Sequence, residues 1–322
     1  MNKKNKITLT ISIFALIAIC FILVYIFSSS KPDTKTDELM DDEISERIEE
    51  FREDYLNLLE RDVKGAIDLL DENIGTFDKL EATKGVEALL FYLNNNLNDT
   101  SKYIKYIELI EYGVEANVEI KDIDAFYNNA PDNHIKDIYA SLNNNLYMIR
   151  NKGDSFNITD SSYVDIDYDK ILEKYKDYIY DDLIALIEYY KVENVFIYDD
   201  KLDELIFEDV LSNIVKLEEI IEKYPDSAYL DEFKNNLDYN YQIYFGAAND
   251  GFGVFDGEGN IYENALKHYK SAIDKNISVN IITKIEKYLE ALKDEGYKNT
   301  DNFKVFLLNF TNKDYEDYKN IN

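Results

Sequence analysis

Three aspartates at two-residue spacing, Asp165, Asp167 and Asp169, alternate with Val164, Ile166 and Tyr168. Successive side chains of an extended strand point to opposite faces, so the three carboxylates share one side. Oxygen donors in that arrangement suit calcium, which takes about six to eight of them. The same residues also read as a solvated strand edge, with Asp169 placed to cap the following helix. Asp256, Glu258 and Asn260 repeat the opening spacing of an EF-hand loop, but the glycine due next is Ile261 and the closing acid is Lys267, which breaks the motif. The two histidines stand apart: His268 beside Lys267 and Lys270 reads as a solvated helix face, and His134 after Pro131-Asp132-Asn133 as a helix start. No H-E-x-x-H, G-x-S-x-G, phosphate-loop or dinucleotide fingerprint occurs. With 65 acidic residues, a pair of carboxylates suited to glycoside hydrolysis is always available, though no pair is singled out by spacing. Tyr178, Tyr241 and Tyr244 are candidates for lining a sugar- or peptide-binding groove. The plainer reading makes such tyrosines core and boundary residues, with the ring buried and the hydroxyl at a partner.

Composition narrows these options. The formal net charge is −30, and residues 1–36 hold five lysines against one aspartate, so the rest of the chain is more acidic still. Such a surface repels nucleic acid and anionic headgroups, which excludes nucleic-acid binding. Hydrophobic residues make up 46% of the chain, with 28 Tyr and 17 Phe, which is too much apolar and aromatic material for a disordered tail. The single cysteine, Cys20, lies in the apolar N-terminal run, so disulfides, thiolate catalysis and cysteine-based metal sites are excluded downstream.

The elements that must position any site begin with Ile7 to Phe27, 21 residues without a charge. As a helix this run reaches roughly 31 Å, enough to span a bilayer. It is longer than the about 7 to 15 residues of a signal-peptide core, so it reads as an uncleaved anchor, with a signal peptide cleaved around the small Ser28 and Ser30 as the competing reading. Cys20 lacks the small preceding residue that lipidation needs, since Ile19 stands there. Lys3, Lys4 and Lys6 place the N-terminus in the cytoplasm and the remainder outside. Residues 28–38 are then a linker. Ile44, Ile48, Phe51, Tyr55 and Leu58 recur at helical spacing, continuing through Val63, Ile67 and Leu70, with the heptad failing at Asp62.

Further helices are expected around Val86–Leu93, Tyr103–Ile110 and His134–Arg150. Val86–Leu97 (VEALLFYLNNNL) and Ile135–Leu146 (IKDIYASLNNNL) align apolar position for apolar position, either as a decayed repeat or through asparagine bias. Asn151–Tyr163 breaks the periodicity and divides an N-terminal subdomain, 39–150, from a C-terminal one, 169–322, through a linker at 151–168. A short extended piece at 164–168 precedes a helix through Ile171, Tyr175, Ile179, Leu183 and Leu186. Leu202–Tyr224 reads as one long helix stopped by Pro225, with Ser227 capping the next helix, Tyr229–Tyr244, to make an αα-hairpin. Five glycines between Gly246 and Gly259 mark a defined loop or small hairpin with positive-φ positions. Three shorter helices follow, at Asn264–Asp274, Val279–Leu292 and Asp301–Phe310.

Ile220-Ile221-Glu222-Lys223-Tyr224-Pro225-Asp226-Ser227-Ala228-Tyr229 resembles the helix junction of tetratricopeptide-like repeats in exported bacterial lipoproteins. The span from Asp165 to Asn276, with this junction, the Phe255-Asp256 loop and Ala265-Leu266-Lys267-His268-Tyr269-Lys270, also looks like an uncharacterised family of membrane-anchored helical proteins of Gram-positive bacteria. The resemblance implies an extracytoplasmic helical domain with a binding role and transfers no catalytic residue. The expectation is thus an all-α protein: a single transmembrane helix followed by irregular helical hairpins, binding or scaffolding a protein or another cell-envelope component without catalysis. The alternative is a cell-wall-directed hydrolase using paired carboxylates.

Overall fold

The computed structural model describes residues 41–98, 100–116, 122–150, 162–193, 198–199, 204–248, 251, 253–275 and 277–311. The expected anchor at Ile7–Phe27 lies outside them. Among the described residues no helix is long and apolar enough to cross a membrane. The chain divides into residues 1–54 and a compact unit, 55–322. The described residues are mostly helical, as the apolar periodicity predicts.

Helix α1 (Asp41–Arg61) ends where the heptad fails. Asp62 leaves helical geometry and its carboxylate accepts the Gly65 N–H at 3.1 Å, capping α2 (Val63–Asn73). A single 3₁₀ turn, Ile74–Thr76, leads to α3 (Lys79–Asn98), followed by α4 (Thr100–Ala116), the short α5 (Ile123–Asn128) and α6 (Asn133–Asn144). Helices α3 and α4 pack together, and α4 also packs on α6. Their core contains Leu59, Leu70, Val86, Leu89, Leu93, Leu109, Ile138 and Leu142. Tyr127 stacks on Tyr139 with ring centroids 4.6 Å apart and donates its hydroxyl to the Leu109 carbonyl at 2.6 Å.

Helix α6 stops six residues earlier than its expected end at Arg150. Leu146 adopts φ 59°, and Tyr147–Arg150 becomes strand β1, paired antiparallel with β2 (Tyr163–Ile166). The extended piece around 164–166 is therefore real, and it takes a partner that the sequence assigned to a helix. This ladder joins the two sides of the stretch that was expected to separate subdomains. The helix expected from 169 to 186 is two, α7 (Tyr168–Tyr175) and α8 (Asp181–Glu193), and Asp167 rather than Asp169 caps the first. A two-residue ladder of β3 (Tyr198–Asp199) with β4 (Glu204–Leu205) replaces the expected start of the long helix.

That helix is α9 (Phe207–Lys223), and it forms the expected hairpin with α10 (Leu230–Tyr244). Ser227 does not cap α10 itself. Its hydroxyl oxygen accepts the Tyr229 N–H at 3.0 Å, which shapes the turn between the helices. The glycine-rich loop closes α10 with Gly246, Gly251, Gly253 and Gly259 all at positive φ, and Phe255 bridges Ile261 antiparallel. Helices α11 (Glu263–Asp274), α12 (Val279–Asp294) and α13 (Asp301–Thr311) complete the fold. Around them Phe207, Tyr244, Phe245, Tyr269, Tyr288 and Phe303 make a buried aromatic core with edge and stacked contacts at 4.8–6.0 Å. Tyr269 fits there because its hydroxyl reaches an acceptor, donating to the Tyr244 carbonyl at 2.5 Å.

Candidate functional site

The α1–α2 joint, the ends of α3 and α6, α4 and β1 enclose a polar cleft of about 720 Å³, within the range of small-ligand sites. Its floor is apolar and aromatic: Leu59, Tyr106 and Tyr147 are buried, the two rings tilted with centroids 5.9 Å apart. The Tyr147 hydroxyl donates to the Leu93 carbonyl at 3.1 Å and also contacts Asn96. Asn145 caps the C-terminus of α6 and donates to the Tyr106 hydroxyl at 3.0 Å. Lys105 donates to Ser141 at 3.2 Å and holds its ammonium 4.7 Å from the Tyr106 ring centroid. The rim carries Glu60, Arg61, Asp62, Lys64 and Asp137, which with Lys105 make three acids and three bases in a strongly acidic protein.

The two asparagine-ended segments meet here. Asn96 and Leu97 come from the first and Asn144 and Asn145 from the second. Both segments end a helix, so their amides sit where backbone carbonyls run out of intrahelical partners and side chains are exposed to a ligand. Beside them Leu146 holds a left-handed conformation that branched side chains rarely adopt. A floor that excludes water on one side, with amides, a hydroxyl and both signs of charge above it, is an arrangement that can bind and orient a polar ligand.

A second cluster lies between α3, α8 and α10. The Tyr229 hydroxyl donates to Glu87, the Tyr190 hydroxyl to Glu232, and Ser227 to Asp182 at 2.8 Å. Burial pushes Glu232 up to about 7, and the Glu87 carboxylate adds to the effect. Burial also raises Glu87, against the hydrogen bond from Tyr229. Burial above all, then the charge of Glu87, holds the Tyr229 hydroxyl far above the usual phenol range. These are carboxylates with raised proton affinity, each held by a phenol.

The residues singled out by sequence fall elsewhere. Asp165 pairs with Arg150 at 2.8 Å and is buried; Asp167 pairs with Lys170 at 3.0 Å; Asp169 is exposed and pairs with Lys191 at 2.5 Å. The three carboxylates thus face three different cations, which calcium would have to displace. Among the described residues no three His, Cys, Asp or Glu side chains are grouped to hold a metal. Tyr241 and Tyr244 are buried in the C-terminal aromatic core, Tyr241 donating to Glu218 at 2.7 Å, while Tyr178 is 40% exposed in the turn after α7. They do not share a groove. His268 is a correction: its side chain lies inward, stacked on Phe207 with centroids 5.1 Å apart and 3.0 Å from the Tyr244 hydroxyl. Burial lowers its proton affinity, with Glu208 opposing. His134 is exposed at the start of α6, 3.0 Å from Glu108, as its sequence context implied.

The cleft residues Arg61, Asn96, Asn144 and Asn145 were not among the candidates; the paired NNNL segments were a signal for the three asparagines, and nothing in the sequence marked Arg61. No protein-family model, curated protein or solved structure matches the chain.

Proposed function

We propose that the chain is a single-pass, membrane-anchored binding protein of the cell envelope, non-catalytic, with its helical body outside the membrane. The observation that carries the binding role is the polar cleft, whose lining presents amides, a hydroxyl and charges of both signs. The anchor rests on the uncharged run Ile7–Phe27 and the lysines before it. The tetratricopeptide-like hairpin and the likeness to membrane-anchored helical proteins of Gram-positive bacteria fit the same reading. Two experiments test it. External protease on intact cells should digest the C-terminal body and leave a short N-terminal fragment with the membrane; protection of the body sinks the topology. Crosslinking in envelopes should give a specific adduct with the full-length chain that Ala140→Trp, which fills the cleft, removes. An adduct indifferent to Ala140→Trp sinks the cleft.

One observation favours a second reading, a wall-directed hydrolase. Burial and the Glu87 carboxylate push Glu232 up to about 7, so this acid holds its proton near neutral pH, as paired-carboxylate hydrolysis requires of its general acid. That reading expects wall clearing by the full-length chain, lost in Glu232→Gln and in Glu87→Gln. Absence of clearing by the unaltered chain removes it.

A further inference from the structure

We infer that the cleft takes a short peptide with both ends unblocked; this rests on the cleft being the binding site proposed above. The groups left uncommitted by the protein decide the ligand class. Arg61, Asp137 and Asn144 are exposed on the lining and make no side-chain hydrogen bond or ion pair among the described residues. Their neighbours are engaged: Asp62 caps α2, Lys64 pairs with Asp68, Lys105 holds Ser141, and Asn145 holds Tyr106. What remains is a guanidinium, a carboxylate and a primary amide. The first two complement a terminal carboxylate and a terminal ammonium. The amide carries a donor and an acceptor in one plane, the complement of a peptide group.

A neutral glycan could hydrogen-bond Arg61 and Asp137 but would leave both charges unpaired. It would also lack a stacking platform, because sugars dock on open aromatic faces and both floor rings are closed. Tyr106 and Tyr147 are 3% and 4% exposed, and the Lys105 ammonium covers Tyr106. A polyanion is opposed by Glu60, Asp62 and Asp137 on the same rim.

The test is calorimetric titration of the full-length chain in detergent with three probes: a pool of unblocked tetrapeptides, the same pool acetylated and amidated, and a chitin tetrasaccharide. The unblocked pool should bind, and blocking both ends should weaken binding by about tenfold or more. Arg61→Ala and Asp137→Ala should each weaken it by a similar factor, and Ala140→Trp should abolish it. These positions are exposed, so an unchanged melting curve verifies that each variant folds. Tetrasaccharide binding that Ala140→Trp removes, without peptide binding, overturns the peptide class while leaving the cleft intact. Peptide binding that survives Ala140→Trp overturns the cleft. Peptide binding indifferent to blocking of the termini, or no peptide binding, overturns the inference.

Discussion

Burial and the neighbouring Glu87 carboxylate lift Glu232 to about 7 from a usual value of 4.5. The folded chain therefore holds this proton more tightly than the unfolded chain does. The resulting stability is complete below about pH 4.5 and is lost as pH rises through about 7. Glu232→Gln keeps an oxygen that can accept the Tyr190 hydroxyl and removes the charge. It should raise stability at pH 8 by up to about 3 kcal/mol and leave pH 4 nearly unchanged. Urea denaturation at the two pH values checks this, and an equal gain at both would contradict it. Asp165 gives the opposite kind of test. It is 4% exposed and paired with Arg150, so Arg150→Ala leaves a buried carboxylate without its guanidinium and should destabilise by about 3 kcal/mol. Millimolar calcium should leave the melting temperature unchanged, because Arg150, Lys170 and Lys191 already occupy the three aspartates. Apart from Lys170 with Asp167, three residues apart, these partnerships were not legible in sequence. Tyr229 and Glu87 stand 142 residues apart, and no local pattern records a contact of that range. Asp165 was legible as part of an alternating strand, but its cation was assigned to a helix.

Helices were the legible elements because an apolar stripe of period 3.6 is local: α9 buries Val210, Ile214, Leu217 and Ile221 at that spacing. Strand β1 was not, because Leu142, Leu146 and Ile149 continue the helical spacing of α6. What makes Tyr147–Arg150 a strand is the partner β2, a non-local cause, and strand preference depends on such context. The asparagine runs show the same limit at the cleft. Their likeness was visible, but only the packing of α3 and α4 with α6 brings them to one site. The glycine-rich loop was legible through its composition, and Gly246 shows why glycine is needed. Its φ is 73°, and an added Cβ would meet the Phe255 ring at 2.9 Å and the Val254 Cβ at 3.0 Å. Gly246→Ala should therefore destabilise by about 1–3 kcal/mol. Gly257 has a Cβ position with nothing within 4 Å, so Gly257→Ala should be near neutral. Comparable losses in both variants would mean that the loop's glycines act through flexibility rather than through conformation and space.

Acidity belongs to the chain as a whole, and at −30 it opposes compaction at neutral pH through self-repulsion. The direction matches that of Glu232: lowering the pH relieves both, so a pH titration alone cannot separate the buried acid from the surface field. Salt can. Added ions screen exposed charges beyond a Debye length of about 8–10 Å, whereas a buried carboxylate is screened much less. Raising sodium chloride from about 20 mM to about 500 mM at pH 8 should raise the melting temperature of the unaltered chain and of Glu232→Gln by the same increment. The offset between the two should persist at high salt. If the offset disappears in salt, Glu232 destabilises through the surface field and not through burial beside Glu87. If salt lowers both melting temperatures, the ion pairs that link separate elements, such as Lys174 with Asp71 and Lys191 with Asp169, outweigh the repulsion that the net charge implies.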